Sequence, residues 1–184
     1  MRDPTTNAPA SSFLKHRPWG PFLAEVDSKL TERVALHCLG GFVLQAIYDI
    51  PRITGDLDYL EVIPKESARV LDEIAGPTSM LARKYKLHFH PVGVIDLPED
   101  YESRLQNPDF GLIHLQLLIP EPYDLLLSKL PRNSPKDRED AKFLIRKCGL
   151  KFSLLERRFD NEMKPWIAHA NRHQLTLNLW REFF

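Results

Sequence analysis

The stretch Leu36 to Val62, LHCLGGFVLQAIYDIPRITGDLDYLEV, constrains this chain more than any other part of it. An apolar run, Val34 to Leu39, leads into Gly40 and Gly41 and predicts a buried strand entering a tight turn. Phe42 to Tyr48 then carries apolar residues at helical spacing, and Pro51 stops that helix. Asp56 to Ile63, DLDYLEVI, alternates and is aromatic and β-branched enough for a strand, closed by Pro64. Strand, glycine turn, helix and strand thus follow one another in a short span.

The physical content of that order lies in its two ends. Glycines at the helix start let the backbone approach a ligand with no Cβ in the way. The same helix end offers unpaired N–H groups and the positive pole of its dipole, a ready site for an anion. Asp56 and Asp58 are one residue apart on a strand, so period-2 geometry puts both carboxylates on one face and Leu57 and Tyr59 on the other. Two carboxylates side by side repel unless a cation sits with them, and all-oxygen donors favour Mg²⁺. A triphosphate near the glycine turn, with its metal on the Asp pair, is the arrangement for in-line displacement assisted by metal ions. Taken alone, Asp-x-Asp is also what solvated acids on an edge strand look like. The ordered set of Gly40, Gly41, helix, Arg52, Thr54, Asp56 and Asp58 is what gives the pair its weight.

Composition excludes several classes and selects none. Lys plus Arg and Asp plus Glu are 25 each, so the formal charge is zero and no global basic field argues for nucleic acid. Hydrophobic residues make up 43% and charged residues 27%, ordinary for a globular protein. No apolar run approaches the roughly 20 residues that span a bilayer, so no membrane partner is expected. Met1 to Ser12, rich in Pro, Thr, Ala and Ser, reads as a flexible tail and not as a signal peptide. Cys38 and Cys148 lack metal-like spacing and read as reduced thiols of a cytoplasmic protein.

Elsewhere Pro21 to Glu32 predicts an amphipathic helix, and Glu66 to Lys84 one helix, or two broken at Gly76-Pro77. Lys86 to Val92 and Gly111 to Ile119 read as strands. From Pro122 onward the pattern is helical: YDLLLSKL, DREDAKFLIRK, FSLLERRFDNEM and HQLTLNLWREFF. The expected class is therefore α/β (α+β), a mixed sheet flanked by helices with a helical C-terminal region. The expected division is a tail at 1–12, a core at 13–130 and a helical region at 131–184.

GGFVLQAIYDIPRITGDLDYL resembles the first motif of minimal nucleotidyltransferases of the polymerase-β-like superfamily, typified by the AbiEii-type toxin of the AbiE abortive-infection system. Their pattern is matched by Gly40, Gly41, Val43, Leu44, Tyr48, Arg52, Thr54, Asp56, Leu57 and Asp58. LPEDYESRL, Leu97 to Leu105, is similar to a segment preceding their fourth strand. In YDLLLSKLPRNSPKDREDAKFL, Lys129 matches a family lysine, and Lys136, Asp137 and Asp140 match an Arg-Asp-x-x-Asp run. The resemblance spans about Val34 to Leu144 and implies a polymerase-β-like fold. It implies transfer of a nucleotide from an NTP, with release of pyrophosphate, to an RNA such as tRNA or to a protein. On that model Asp56 and Asp58 bind Mg²⁺, and Thr54, Arg52 and the Gly40-Gly41 backbone hold the nucleotide. Lys129 neutralises the triphosphate. Asp137 is a base, a support for the metal site or an orienter of Lys129. An antitoxin is the partner that the toxin role implies.

Other readings stay open beside this one. Asp137, Arg138, Glu139 and Lys142 also fit a solvated helix face with a charge–dipole match, and Lys129 also fits a surface lysine. Many polymerase-like transferases carry a third carboxylate on a later strand, whereas GLIHLQLLI offers His114 and Gln116. That leaves a catalytically weakened nucleotide- or RNA-binding module as the alternative, and a structural domain with an aromatic C-terminus as a third reading. His88 and His90, two apart on a strand, could share a face as metal ligands. With no third ligand in sight by spacing they read as packing or surface histidines, and His169 with His173 as a cap and turn. Trp166, Trp180, Phe183 and Phe184 are expected to pack into a core. Arg146, Lys147, Lys151, Arg157 and Arg158 fit a basic edge or solvated faces equally.

Overall fold

A computed structural model describes residues 18–184, so the tail expected at 1–12 lies outside the described residues. The described chain forms two compact units, one of residues 18–93 and 106–119, the other of Val94–Leu105 and Pro120–Phe184. The expected class is what forms: a mixed four-stranded sheet flanked by helices, and a helical C-terminal region.

In the first unit helix α1, Trp19–Lys29, buries Trp19, Phe22, Leu23 and Val26, the single stripe that helical spacing demands. Strand β1, Val34–Leu39, runs straight into α2, Gly40–Tyr48, and β2 is Asp56–Ile63. The helical stretch at 66–84 splits at Gly76-Pro77 into α3, Ser67–Ala75, and α4, Met80–Tyr85. Ser79 caps α4 by accepting the Ala82 N–H. Strands β3, His88–Pro91, and β4, Leu115–Leu118, complete a sheet ordered β3-β2-β1-β4. β1 pairs antiparallel with β2 and parallel with β4, while β2 pairs parallel with β3. Trp19, Phe22, Phe42 and Phe89 fill the core with edge-on ring contacts, Trp19 to Phe42 at 4.8 Å and Phe22 to Phe89 at 5.6 Å. Such pairs contribute about 0.5–1.5 kcal/mol each beyond the area they bury.

Strand β4 is shorter than the expected Gly111 to Ile119, and Asp27 is the reason. Its carboxylate accepts the N–H groups of Ile113, His114 and Leu115 at 3.0, 2.7 and 2.7 Å. Those donors are satisfied by a side chain from α1, so the backbone before Leu115 has less to gain from a ladder. Burial pushes the Asp27 pKa up, but the three donors outweigh it and leave it below the ordinary value.

The second unit holds a 3₁₀ turn at Tyr101–Arg104, helices α5, Pro122–Leu127, α6, Pro135–Cys148, α7, Phe152–Arg158, and α8, Ala170–Trp180. Ser134 and Asp137 form a reciprocal capping box at the start of α6. Fully buried Asp124 receives a two-pronged pair of bonds from Arg104, both at 3.0 Å, and a third from Arg158 at 3.2 Å. Arg104 also donates to Glu162 at 2.7 Å, which ties the 3₁₀ turn to α5 and to the π-helical turn Phe159–Met163. His169 is the N-cap residue of α8 without a side-chain cap bond, whereas His173, expected in a turn, lies within α8, its Nδ1 2.9 Å from the His169 carbonyl. Of the C-terminal aromatics Trp180 is buried and donates to Asn133, whereas Trp166 and Phe184 are exposed, contrary to the expected packing. Among the described residues no helix is long and apolar enough to cross a membrane.

Candidate functional site

The glycine turn and the Asp pair meet. Gly40 opens α2 with φ +68°, a conformation that glycine adopts without strain. A Cβ built on it would stand 2.4 Å from Asp58 Oδ2, too close for any side chain unless the carboxylate moves. At Gly41 a Cβ would meet the Thr54 hydroxyl at 3.1 Å and the Arg52 Nη2 at 3.6 Å. The first two residues of α2 are therefore walled by Asp58, Thr54 and Arg52. The sheet register explains it, because Leu39, the residue before Gly40, is the β1 partner of Asp58.

Both carboxylates stand half-buried on one face of β2, while Leu57 and Tyr59 go into the core on the other. Each is held by one oxygen. The buried Thr54 hydroxyl donates to Asp56 Oδ1 at 2.5 Å, and His90 Nδ1 lies 3.0 Å from Asp58 Oδ1. Among the described residues no group of three or more His, Cys, Asp or Glu side chains is gathered to hold a metal. Two carboxylates with an oxygen each to spare suit a hard cation whose remaining positions are filled by substrate phosphate and water, the usual way Mg²⁺ is bound.

His90, which reads from the sequence as a packing or surface histidine, is the residue that meets the Asp pair. The strand searched for a third polar group, GLIHLQLLI, pairs with β1 and so lies on the far side of it from β2. The strand beside the Asp pair is β3, where His88 is the partner of Asp56 and His90 that of Asp58. A signal existed: His-x-His repeats the period of Asp-x-Asp, and a strand–helix–strand order points to parallel pairing.

The chain matches, over residues 23–184, the family described as "Nucleotidyltransferase of unknown function (DUF6036)". It belongs to that family. No curated protein and no solved structure matches it. The mixed sheet flanked by helices is consistent with a nucleotidyltransferase fold, and nucleotidyl transfer is the family's general chemistry.

The remaining residues expected in the nucleotidyltransferase site, Lys129 and Asp137, belong to the second unit, where they form a cluster of their own. Lys129 is only 6% exposed; its ammonium donates to Asp140 at 2.9 Å and lies 3.6 Å from Asp137. Arg132 grips Asp137 with two bonds of 2.7 and 2.6 Å, and Ser134 adds its N–H at 3.0 Å and its hydroxyl at 2.6 Å. Burial pushes the Asp137 pKa up, but Arg132, Ser134 and the Lys129 charge pull harder and hold it well below the usual carboxylate range. A carboxylate so held is a poor proton acceptor and a good anchor for a cation.

Proposed function

We propose that this chain is an Mg²⁺-dependent nucleotidyltransferase that moves a nucleotide from an NTP to an RNA, tRNA foremost, or to a protein. The observation that carries the reading is the contact of the Gly40-Gly41 helix start with Asp58 and Thr54. An anion site and a cation site share one wall there, which is what a metal-bound triphosphate requires.

Asp56 and Asp58 would hold the metal, each through the oxygen that Thr54 and His90 leave over. When bound, Mg²⁺ supplies positive charge that offsets the charge of the triphosphate. The N–H groups at the start of α2, with Arg52 and Thr54, orient the phosphates. In the transfer the acceptor hydroxyl oxygen bonds to the α-phosphorus and gives its proton to solvent, the bond from that phosphorus to the bridging oxygen breaks, and pyrophosphate leaves. The resemblance gives Lys129 the charge of the triphosphate to neutralise. The ion pairs of Asp137 and Asp140 with Lys129 favour orientation of that lysine over base catalysis as the role of Asp137. The resemblance also supports the role of toxin in a toxin–antitoxin pair acting in the cytoplasm.

The test is incorporation of labelled nucleotide from each of the four NTPs into total RNA, tRNA and protein pools, with Asp56→Ala and Asp58→Ala as controls. Label in one pool that both variants abolish supports the proposal. Binding of Mg-NTP with no transfer into any pool favours the weakened binding module. Absence of NTP binding by the intact chain sinks both.

A further inference from the structure

We infer that His90 is the positioning residue for Asp58, matching on one carboxylate what Thr54 does for the other; this rests on the metal-binding reading of the Asp pair. The sheet register makes His90 the β3 partner of Asp58, so the two side chains share a face and meet at 3.0 Å. A carboxylate can only accept, so Nδ1 carries the proton and donates it to Oδ1. Asp58 then presents Oδ2 to the start of α2, where Gly40 leaves the space a Cβ would fill. Thr54 treats Asp56 alike by donating to its Oδ1. The two donors come from different segments, Thr54 from the one entering β2 and His90 from the neighbouring strand β3.

Donors that fix a ligating carboxylate set its rotamer before the metal arrives, and their loss costs metal affinity although they touch no metal. His88 stands edge-on to the His90 ring, with ring centroids 6.4 Å apart. The His90 side chain is 55% exposed, so packing holds it less than the Asp58 bond does.

Mn²⁺ binding, followed by its electron paramagnetic resonance signal with no nucleotide present, tests the inference without any turnover. His90→Ala is expected to weaken Mn²⁺ binding by about 10–100-fold, the range seen on loss of such outer donors. His90→Asn, whose amide nitrogen reaches about as far as Nδ1, is expected to restore most of it. His90→Gln, whose amide reaches toward Nε2, is not. All three keep the melting temperature of the natural chain. Equal or tighter binding by His90→Ala, with binding lost in Asp58→Asn, overturns the inference and leaves the metal reading standing. Equal weakening in His90→Ala and His90→Asn overturns it too. If the intact chain binds no Mn²⁺ that depends on Asp58, the metal reading itself fails.

Discussion

Lys129 points its ammonium at Asp140 from a position almost closed to water, 2.9 Å from one carboxylate oxygen and 3.6 Å from the Oδ1 of Asp137. A cation in such a place is held by its partners, and each partner depends on it. Lys129→Met therefore takes the ammonium away from buried Asp140, while Arg132 and Ser134 still hold Asp137, at a cost of about 3–5 kcal/mol. Adding Asp140→Asn to Lys129→Met is expected to return part of that loss in urea unfolding. Activity tells the two roles apart. A lysine that only holds the turn after α5 to α6 gives back activity with stability, whereas one that also neutralises the triphosphate leaves the double variant folded and inactive.

Gly40→Ala is expected to damage activity far more than folding. The positive φ costs a residue with a Cβ about 1–2 kcal/mol. The added methyl also displaces the Asp58 carboxylate from its place between Gly40 and His90. Misplacing such a group costs on the order of 10²-fold in rate. Steady-state transfer and thermal unfolding on one preparation check both halves.

The Asp124 cluster holds the second unit together through buried charge. Burial pushes the Asp124 pKa up and Arg104 pulls it back only in part, so the group is stable there because both arginines surround it. Arg104→Ala is expected to destabilise the second unit by about 3–5 kcal/mol, the scale for leaving a buried charge without its partner. Differential scanning calorimetry should show the loss, with Mn²⁺ binding at the Asp pair unchanged.

Acid stability follows from Asp27 and Asp137. Both have pKa values depressed in the folded chain, so each contributes stability above the ordinary value of 3.8 and loses it as pH falls through the lower folded value. Stability should therefore decline below about pH 4. Asp137→Asn should flatten that decline while lowering stability at neutral pH, as urea midpoints at several pH values will show.

The fold was legible where side chains alternate or repeat with a clear period. The strand before Gly40, the helix after it and the faces of β2 follow from spacing, whereas the expected turn at Gly40-Gly41 is the first two residues of α2 and spacing leaves 66–84 open between one helix and two. What spacing could not give was partnership between strands. Which strand lies beside Asp56 and Asp58 depends on how α3 and α4 carry the chain across, and that placed His90, not His114 or Gln116, at the pair. The end of β4 was hidden for a similar reason. Asp27 reaches it from far along the sequence, and nothing in EVDSK announces three backbone bonds. The Lys129 cluster was half legible, since the residues stood out but their burial did not.

The closeness of Gly40 to Asp58 has a consequence for how this chain can diverge. Position 40 is closed to larger residues for two separate reasons, its φ and the carboxylate beside it. A descendant that loses the acid at 58 lifts the second barrier and keeps the first. Asparagine, which tolerates that φ, is then the first substitution the backbone would admit. A lineage drifting away from catalysis should thus record the order of its changes, with position 58 altered before position 40.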